Sequence, residues 1–264
     1  MNLQIENKLA LVTGSTAGIG FAIAKALAAE GARVIVNGRT EARVKEALVT
    51  IGQAVPSAKL EALAADLSQA DGAATAIRRY PDVQVLVNNL GVYKTVPFGE
   101  ITDTAWLEII ETNFLSGVRL SRHYLPRMKA AGWGRILFIS SESAVNIPVE
   151  MIHYGVTKTM QVALARGLAE TTAGTAVTVN SVLAGPTQSE GVEKFVAEIA
   201  RTRQVKPAEV EQEFFRSVRP SSLLQRFATT DEVAPLVAFL ASPLASATNG
   251  AALRVEGGLV RSIL

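Results

Sequence analysis

The chain has 264 residues, 48% hydrophobic and 19% charged, which is enough apolar material for a large buried core and rules out a disordered chain. Its 26 Lys and Arg against 24 Asp and Glu leave a net charge of +2, too balanced for nucleic acid or an anionic membrane to be the main partner. The absence of cysteine excludes thiol catalysis, disulfides and thiolate metal sites, and two separated histidines with no carboxylate cluster give no metal motif. The first residues lack a basic and apolar signal segment, and no apolar run approaches the ~18 residues of a spanning helix. A soluble, cytoplasmic protein is therefore expected.

Along the chain, short apolar runs at 9–13, 33–37, 59–64, 83–88, 135–140, 176–182 and 252–255 predict strands. Helical periodicity fills the intervals at 19–30, 41–51, 71–79, 103–131, 153–172 and 231–241. Several strands are apolar on both faces, the pattern of a parallel sheet covered by helices on each side. The alternation predicts a single α/β domain over 1–264, a doubly wound, Rossmann-like parallel sheet. The segment 188–222 breaks the rhythm with two charged helical patches. It directly follows a strand end where such sheets bind ligands, which suggests a substrate lid; a surface excursion or a subunit contact is the plainer alternative.

Between the first strand and the first helix runs Thr13-Gly14-Ser15-Thr16-Ala17-Gly18-Ile19-Gly20. Gly14 permits a tight turn, Gly18 lets backbone approach a pyrophosphate, and Gly20 lets the helix pack on the strand. The helix N-terminus would present free N–H groups to phosphates. After the second strand, Asn37-Gly38-Arg39-Thr40 offers no carboxylate for a ribose hydroxyl, while Arg39 can pair with a 2′-phosphate. NADP(H) is expected in preference to NAD(H), which stays possible; an exposed Arg at a helix entrance is the simpler reading. Further on, Tyr154 and Lys158 share one helix face at i and i+4, and a nearby ammonium favours a phenolate. A hydroxyl from Ser141 could hold a substrate oxygen against that phenol, making a device that protonates or deprotonates a carbinol.

Over essentially its whole length the chain resembles the short-chain dehydrogenase/reductase family. The glycine motif T-G-x-x-x-G-x-G is matched by Thr13 to Gly20, and the Y-x-x-x-K pair by Tyr154 and Lys158. Asn88-Asn89-Leu90-Gly91 stands where the family has N-N-A-G, with Leu90 for Ala, and the later P-G motif is Ala184-Gly185. The resemblance implies a tetrad of Asn113, Ser141, Tyr154 and Lys158. It also implies cofactor contacts from Gly14, Ser15, Gly18, Ile19, Gly20, Arg39, Asp66, Leu67, Asn88, Gly91, Tyr154 and Lys158. Thr187 backbone and the Ser189 hydroxyl would hold a carboxamide. By the same resemblance Tyr154 is the general acid/base, Ser141 holds the carbonyl oxygen, Lys158 lowers the Tyr154 pKa, and Asn113 anchors a water relay to Lys158.

The implied activity is interconversion of a ketone or aldehyde and its alcohol by hydride transfer. The pocket would draw on Leu90, Ser143, Ile147, His153, Pro186 and apolar lid residues Phe195, Phe214 and Phe215. Glu142, beside Ser141, is either a salt-bridge partner or a substrate selector. One alternative is 3-oxoacyl-[acyl-carrier-protein] reductase; members with that role often carry Arg at positions that are Gly132 and Thr175 here. A non-catalytic NADP-binding regulatory protein is an alternative of another class. The resemblance further implies a homotetramer or homodimer built on helices 103–131 and 153–172.

Overall fold

A computed structural model of the chain describes residues 2–263. In chain order the elements begin with β1 (Leu9–Val12), α1 (Gly18–Ala29), β2 (Arg33–Gly38), α2 (Glu41–Ala54), β3 (Lys59–Ala64), α3 (Ala70–Arg79) and β4 (Val85–Asn88). They continue through α4 (Asp103–Ile110), α5 (Ser116–Ala130), β5 (Gly134–Ser141), α6 (Ile152–Glu170) and β6 (Val177–Ala184). The last are β7 (Thr187–Gln188), α7 (Glu190–Arg203), α8 (Pro207–Glu213), β8 (Ala228–Thr229), α9 (Thr230–Leu240) and β9 (Ala252–Val255). Seven strands form one sheet in the order β3-β2-β1-β4-β5-β6-β9, every pairing parallel. The chain winds outward from β1 to β3, then returns to β4 on the other side of β1. Strand order therefore reverses between β1 and β4, where a doubly wound sheet opens a crevice at its carboxyl edge.

Both faces of the sheet are covered, as the double-sided apolar strands require. Val12, Val34, Val36 and Leu137 pack with Ile23 and Leu27 of α1 and Val237 and Leu240 of α9. Their neighbours Leu11, Ile35, Leu86 and Phe138 point the opposite way, onto Leu120 and Tyr124 of α5 and Ala165 of α6. Each fully buried Leu or Ile contributes roughly 1.5–3 kcal/mol, so the two layers fix the strand ends from which the site is built. β5 and β6 are buried along their whole length, paired with each other and flanked by β4 and β9.

The helix expected over 103–131 is interrupted. A π-turn at Glu111–Leu115 separates α4 from α5, with the Ser116 N–H reaching back to the Glu111 carbonyl. Such turns insert one residue into the helical ladder, a feature that apolar periodicity does not register. The unusual segment after β6 is a helical excursion of α7, α8 and a second π-turn at Phe214–Val218. Its base is closed by a short parallel ladder, Thr187 opposite Ala228 and Gln188 opposite Thr229. Phe214, Phe215 and Phe227 cement it, with ring centroids 5.0 to 5.3 Å apart. Phe214 and Phe215 thus serve the packing of the excursion, whereas Phe195 is half exposed beside Glu198 and Ile199 in a surface cleft.

Candidate active site

The glycine loop runs from β1 into α1 with Gly14 at φ 61° and Gly18 at φ 58°, a region where side chains are strained. A Cβ on Gly20 would sit 2.4 Å from Asn89 Nδ2 and 2.5 Å from the Gly14 carbonyl, so the close helix–loop packing needs glycine. The α1 N-terminus has Ala17 at its N-cap, no capping side chain and no acidic residue in its first turn. Its N–H groups and positive dipole end are thus left uncapped by the helix itself, which fits a pyrophosphate. Ile19 anchors this first turn by packing on the core.

Ser15 departs from its expected role. It is fully buried; its hydroxyl donates to the Val12 carbonyl at 2.7 Å and accepts from Asn37 N at 2.9 Å, and its N–H donates to the Asn37 carbonyl. With both polar groups spent between β1 and β2, Ser15 shapes the loop instead of facing its open side. Asn37 completes that wall: its side-chain oxygen accepts from Gly14 N at 3.0 Å and its amide donates to Leu63 and Ala65 carbonyls.

The ends of β1 and β4 are clamped through Thr13, whose hydroxyl accepts from Asn89 N and Leu90 N, each at 2.9 Å. Asn88 donates to Ser121 at 3.3 Å, while its own side-chain oxygen is buried without a partner. Asp66 accepts from Ser68 N and Oγ, which turns the chain after β3 and buries Leu67 beneath it. Arg39 is exposed just past β2. Arg43, which sequence reasoning passed over, reaches the same crevice: it lines a cavity of about 230 Å³ with Thr16, Ala17, Gly18 and Glu190. Its guanidinium lies 3.2 Å from the Glu190 carboxylate at the start of α7. Only its place one turn after Arg39 on α2 could have signalled it.

At the carboxyl edge of β5 and the start of α6 the expected tetrad comes together. The Ser141 oxygen accepts from Ser143 N at 3.1 Å, which leaves its hydroxyl hydrogen free to donate. Tyr154 is half-buried, its ring edge-on to Tyr93 with centroids 6.1 Å apart and 5.6 Å from Lys158 Nζ. Lys158 is buried and donates to the Ile139 carbonyl at 2.8 Å and to Gln161 Oε1 at 3.3 Å. The side chain of Asn113 accepts from Val92 N at 2.7 Å and donates to the Val92 carbonyl and to Thr157 Oγ1. Gly91 lies between them: a Cβ there would be 3.4 Å from Lys158 Nζ and 3.6 Å from Asn113 Oδ1. Thr187 donates to the Gly185 carbonyl, and the Ser189 oxygen accepts from Val192 N as the N-cap of α7, so its hydroxyl hydrogen stays available.

The electrostatics correct one expectation. Burial pushes the Tyr154 phenol up to about 12, with the Ser141 hydroxyl pulling it down and Glu142 adding to the rise. Desolvation brings Lys158 itself down to about 8, which weakens the charge it can offer its neighbour. Between about 8 and the usual 10.5 the unfolded chain holds a proton that the folded chain has released, so stability rises with pH there. Lys158→Met removes this dependence. Across that window the stability difference is expected to move in favour of wild type by about 3 kcal/mol. Parallel thermal melts of the two proteins against pH check it.

Sequence reasoning also missed Tyr93, Arg219 and Gln161. Tyr93 roofs Tyr154, and a Cβ on Gly191 at the start of α7 would come 3.5 Å from its hydroxyl. Arg219, at the end of the helical excursion, is buried and pairs with Glu142 at 3.2 Å and Glu150 at 3.0 Å. Glu142 is therefore a salt-bridge partner, although its second oxygen is buried without one. Burial raises its pKa despite the Arg219 charge. His153 is buried edge-on against Trp106, with burial holding it below the usual range.

Known proteins share this arrangement from end to end. The chain is 46% identical over 263 residues to the "uncharacterized oxidoreductase YvaG" of Bacillus subtilis, covering 100% of each. It is 34% identical over 261 residues to a D-β-hydroxybutyrate dehydrogenase of Cupriavidus necator, covering 97% of this chain and 99% of that one. The crystal structure of L-sorbose reductase from Gluconobacter frateurii, complexed with NADPH and L-sorbose, superposes with a TM-score of 0.93 at 27% identity over 100% of both chains. The model of the short chain dehydrogenase family matches residues 8–200, which include the glycine loop, the reversal of strand order and the Ser141, Tyr154 and Lys158 cluster. By its sheet, its loop and its relatives alike, the chain belongs to the short-chain dehydrogenase family.

Proposed function

We propose that the protein is an NADP(H)-dependent oxidoreductase that interconverts a ketone or aldehyde and the corresponding alcohol. The observation that carries this reading is the convergence of the Ser141 hydroxyl, the Tyr154 phenol and the Lys158 ammonium beside an uncapped helix N-terminus at the crevice. The cofactor, when bound, supplies or accepts the hydride. Gly14, Gly18, Ile19 and Gly20 would hold its phosphates, Asp66 and Leu67 its adenine end, and Asn88, Gly91, Lys158, Thr187 and Ser189 its nicotinamide end. Ser141 holds the substrate oxygen by a hydrogen bond that strengthens as negative charge develops. Tyr154, protonated at neutral pH, delivers the proton as general acid. The helical excursion acts as the lid, tied to the catalytic floor through Arg219.

Exposed Val92, Tyr93, Val145 and Ile147 near the mouth favour an uncharged or partly apolar carbonyl compound. We also propose assembly as a homotetramer or homodimer through α4, α5 and α6, which the largely exposed Leu107 supports. A panel of ketones, aldehydes, alcohols and an acetoacetyl thioester, run with NADPH and NADH, tests the activity. No turnover with any member would remove it, and a strong preference for the thioester would redirect it to acyl reduction. Arg39→Ala is expected to lower the ratio of NADPH to NADH kcat/KM by about ten- to a hundredfold, the worth of one charge-assisted contact. An unchanged ratio would leave the discrimination to Arg43.

A further inference from the structure

Gln161 lies one turn beyond Lys158 on α6, is 2% exposed and belongs to no family motif quoted above. Its amide nitrogen donates to the backbone carbonyl of Asn113 at 2.6 Å, and its amide oxygen accepts from Lys158 Nζ at 3.3 Å. A carbonyl only accepts and an ammonium only donates, so these two partners fix which way round the amide lies. The π-turn at Glu111–Leu115 brings the Asn113 carbonyl within reach of this side chain from another helix. Lys158 has three N–H donors. Two are taken by Ile139 and Gln161, and the bare Cα of Gly91 leaves the approach to the third open on the cofactor side.

We propose that Gln161 is a positioning residue: its amide is a built-in bridge that holds the Lys158 ammonium in place and fastens it to Asn113, where the resemblance puts a water. This rests on the reading of Tyr154 and Lys158 given above. A carboxamide neither takes up nor releases a proton at neutral pH, so the bridge transmits orientation without conducting protons. The proton that Tyr154 gives up is then renewed from the pocket side. Around the Lys158 ammonium, α6 contributes Tyr154, β5 the Ile139 carbonyl, the loop after β4 Gly91, and the π-turn Asn113, while the Ser140 hydroxyl donates to the Lys158 backbone carbonyl. Glu142 and Arg219 act on Tyr154, whereas burial is what moves Lys158.

The test is NADPH affinity against pH for wild type, Gln161→Met and Gln161→Glu, with kcat and KM for a carbonyl substrate alongside. Loss of the acceptor in Gln161→Met disfavours the ammonium, so affinity falls off at a pH lower by about one unit, and kcat drops about tenfold at unchanged carbonyl KM. A carboxylate in Gln161→Glu favours the ammonium and moves the fall-off upward. Opposite shifts support the bridge, because a purely structural loss would not reverse sign between the two variants. Coincident midpoints would overturn it. Wild type that binds NADPH yet reduces no carbonyl would remove the proposed activity and leave the midpoints to decide the role of Gln161.

Discussion

Tyr154→Phe is expected to cut kcat for carbonyl reduction by about a thousandfold while NADPH still binds. The substitution removes one oxygen and leaves the ring, which the edge of Tyr93 and the Lys158 ammonium hold in place. Ser141 would lose its contact with the phenol but keep its hydrogen bond from Ser143 N, and so could still hold the substrate oxygen. What disappears is the proton donor for the developing alkoxide. Steady-state rates and a fluorescence titration with NADPH separate the two effects. Full turnover in the variant would shift proton transfer to another group and end the assignment to Tyr154.

The second large effect concerns stability. Arg219→Ala is expected to destabilise the protein by about 3–5 kcal/mol at neutral pH, because it strands a buried carboxylate. Glu142 lies behind the excursion, almost fully shielded, and one of its oxygens already lacks a partner. Burial holds its folded-state pKa above the unfolded value, so the protonated form favours folding and that advantage is lost as pH rises. The penalty for Arg219→Ala should therefore shrink as the solution is acidified. Adding Glu142→Gln to Arg219→Ala should recover much of the loss, since a neutral amide costs less to bury than an unpaired charge. Urea unfolding of the single and double variants at two pH values checks both statements. A single variant as stable as wild type would mean that the pair contributes nothing net.

The architecture was legible because several strands carry apolar residues on both faces. Val12 and Leu11, adjacent in β1, bury themselves in opposite layers, and no other sheet type asks that of a strand. Tyr154 and Lys158 were legible because helix geometry brings i and i+4 together, and Ser141 because the family resemblance implies its place. The groups around them were not. Gln161 reads as an ordinary polar helix residue until the π-turn brings the Asn113 carbonyl to it. Arg219 lies 77 residues from Glu142, and nothing local announces that a surface-type charge will be drawn into the floor of the site. The direction of the Tyr154 shift was misread for a related reason: the pairing of charges can be seen in sequence, but the desolvation of each member cannot.

The π-turn carries a consequence for how this chain can change. Each residue advances a helix by about 100°, so deleting one residue from Glu111–Leu115 would restore a regular helix and swing α4 around its axis relative to α5. Asn113 would then be turned away from the partners it now meets together, Val92 and Thr157 through its side chain and Gln161 through its carbonyl. The irregularity works as a joint in which three separate segments share a single residue. Insertions and deletions should therefore be tolerated in the turns on either side long before they are tolerated there, and a repaired helix would leave a better-formed element and a dismantled site.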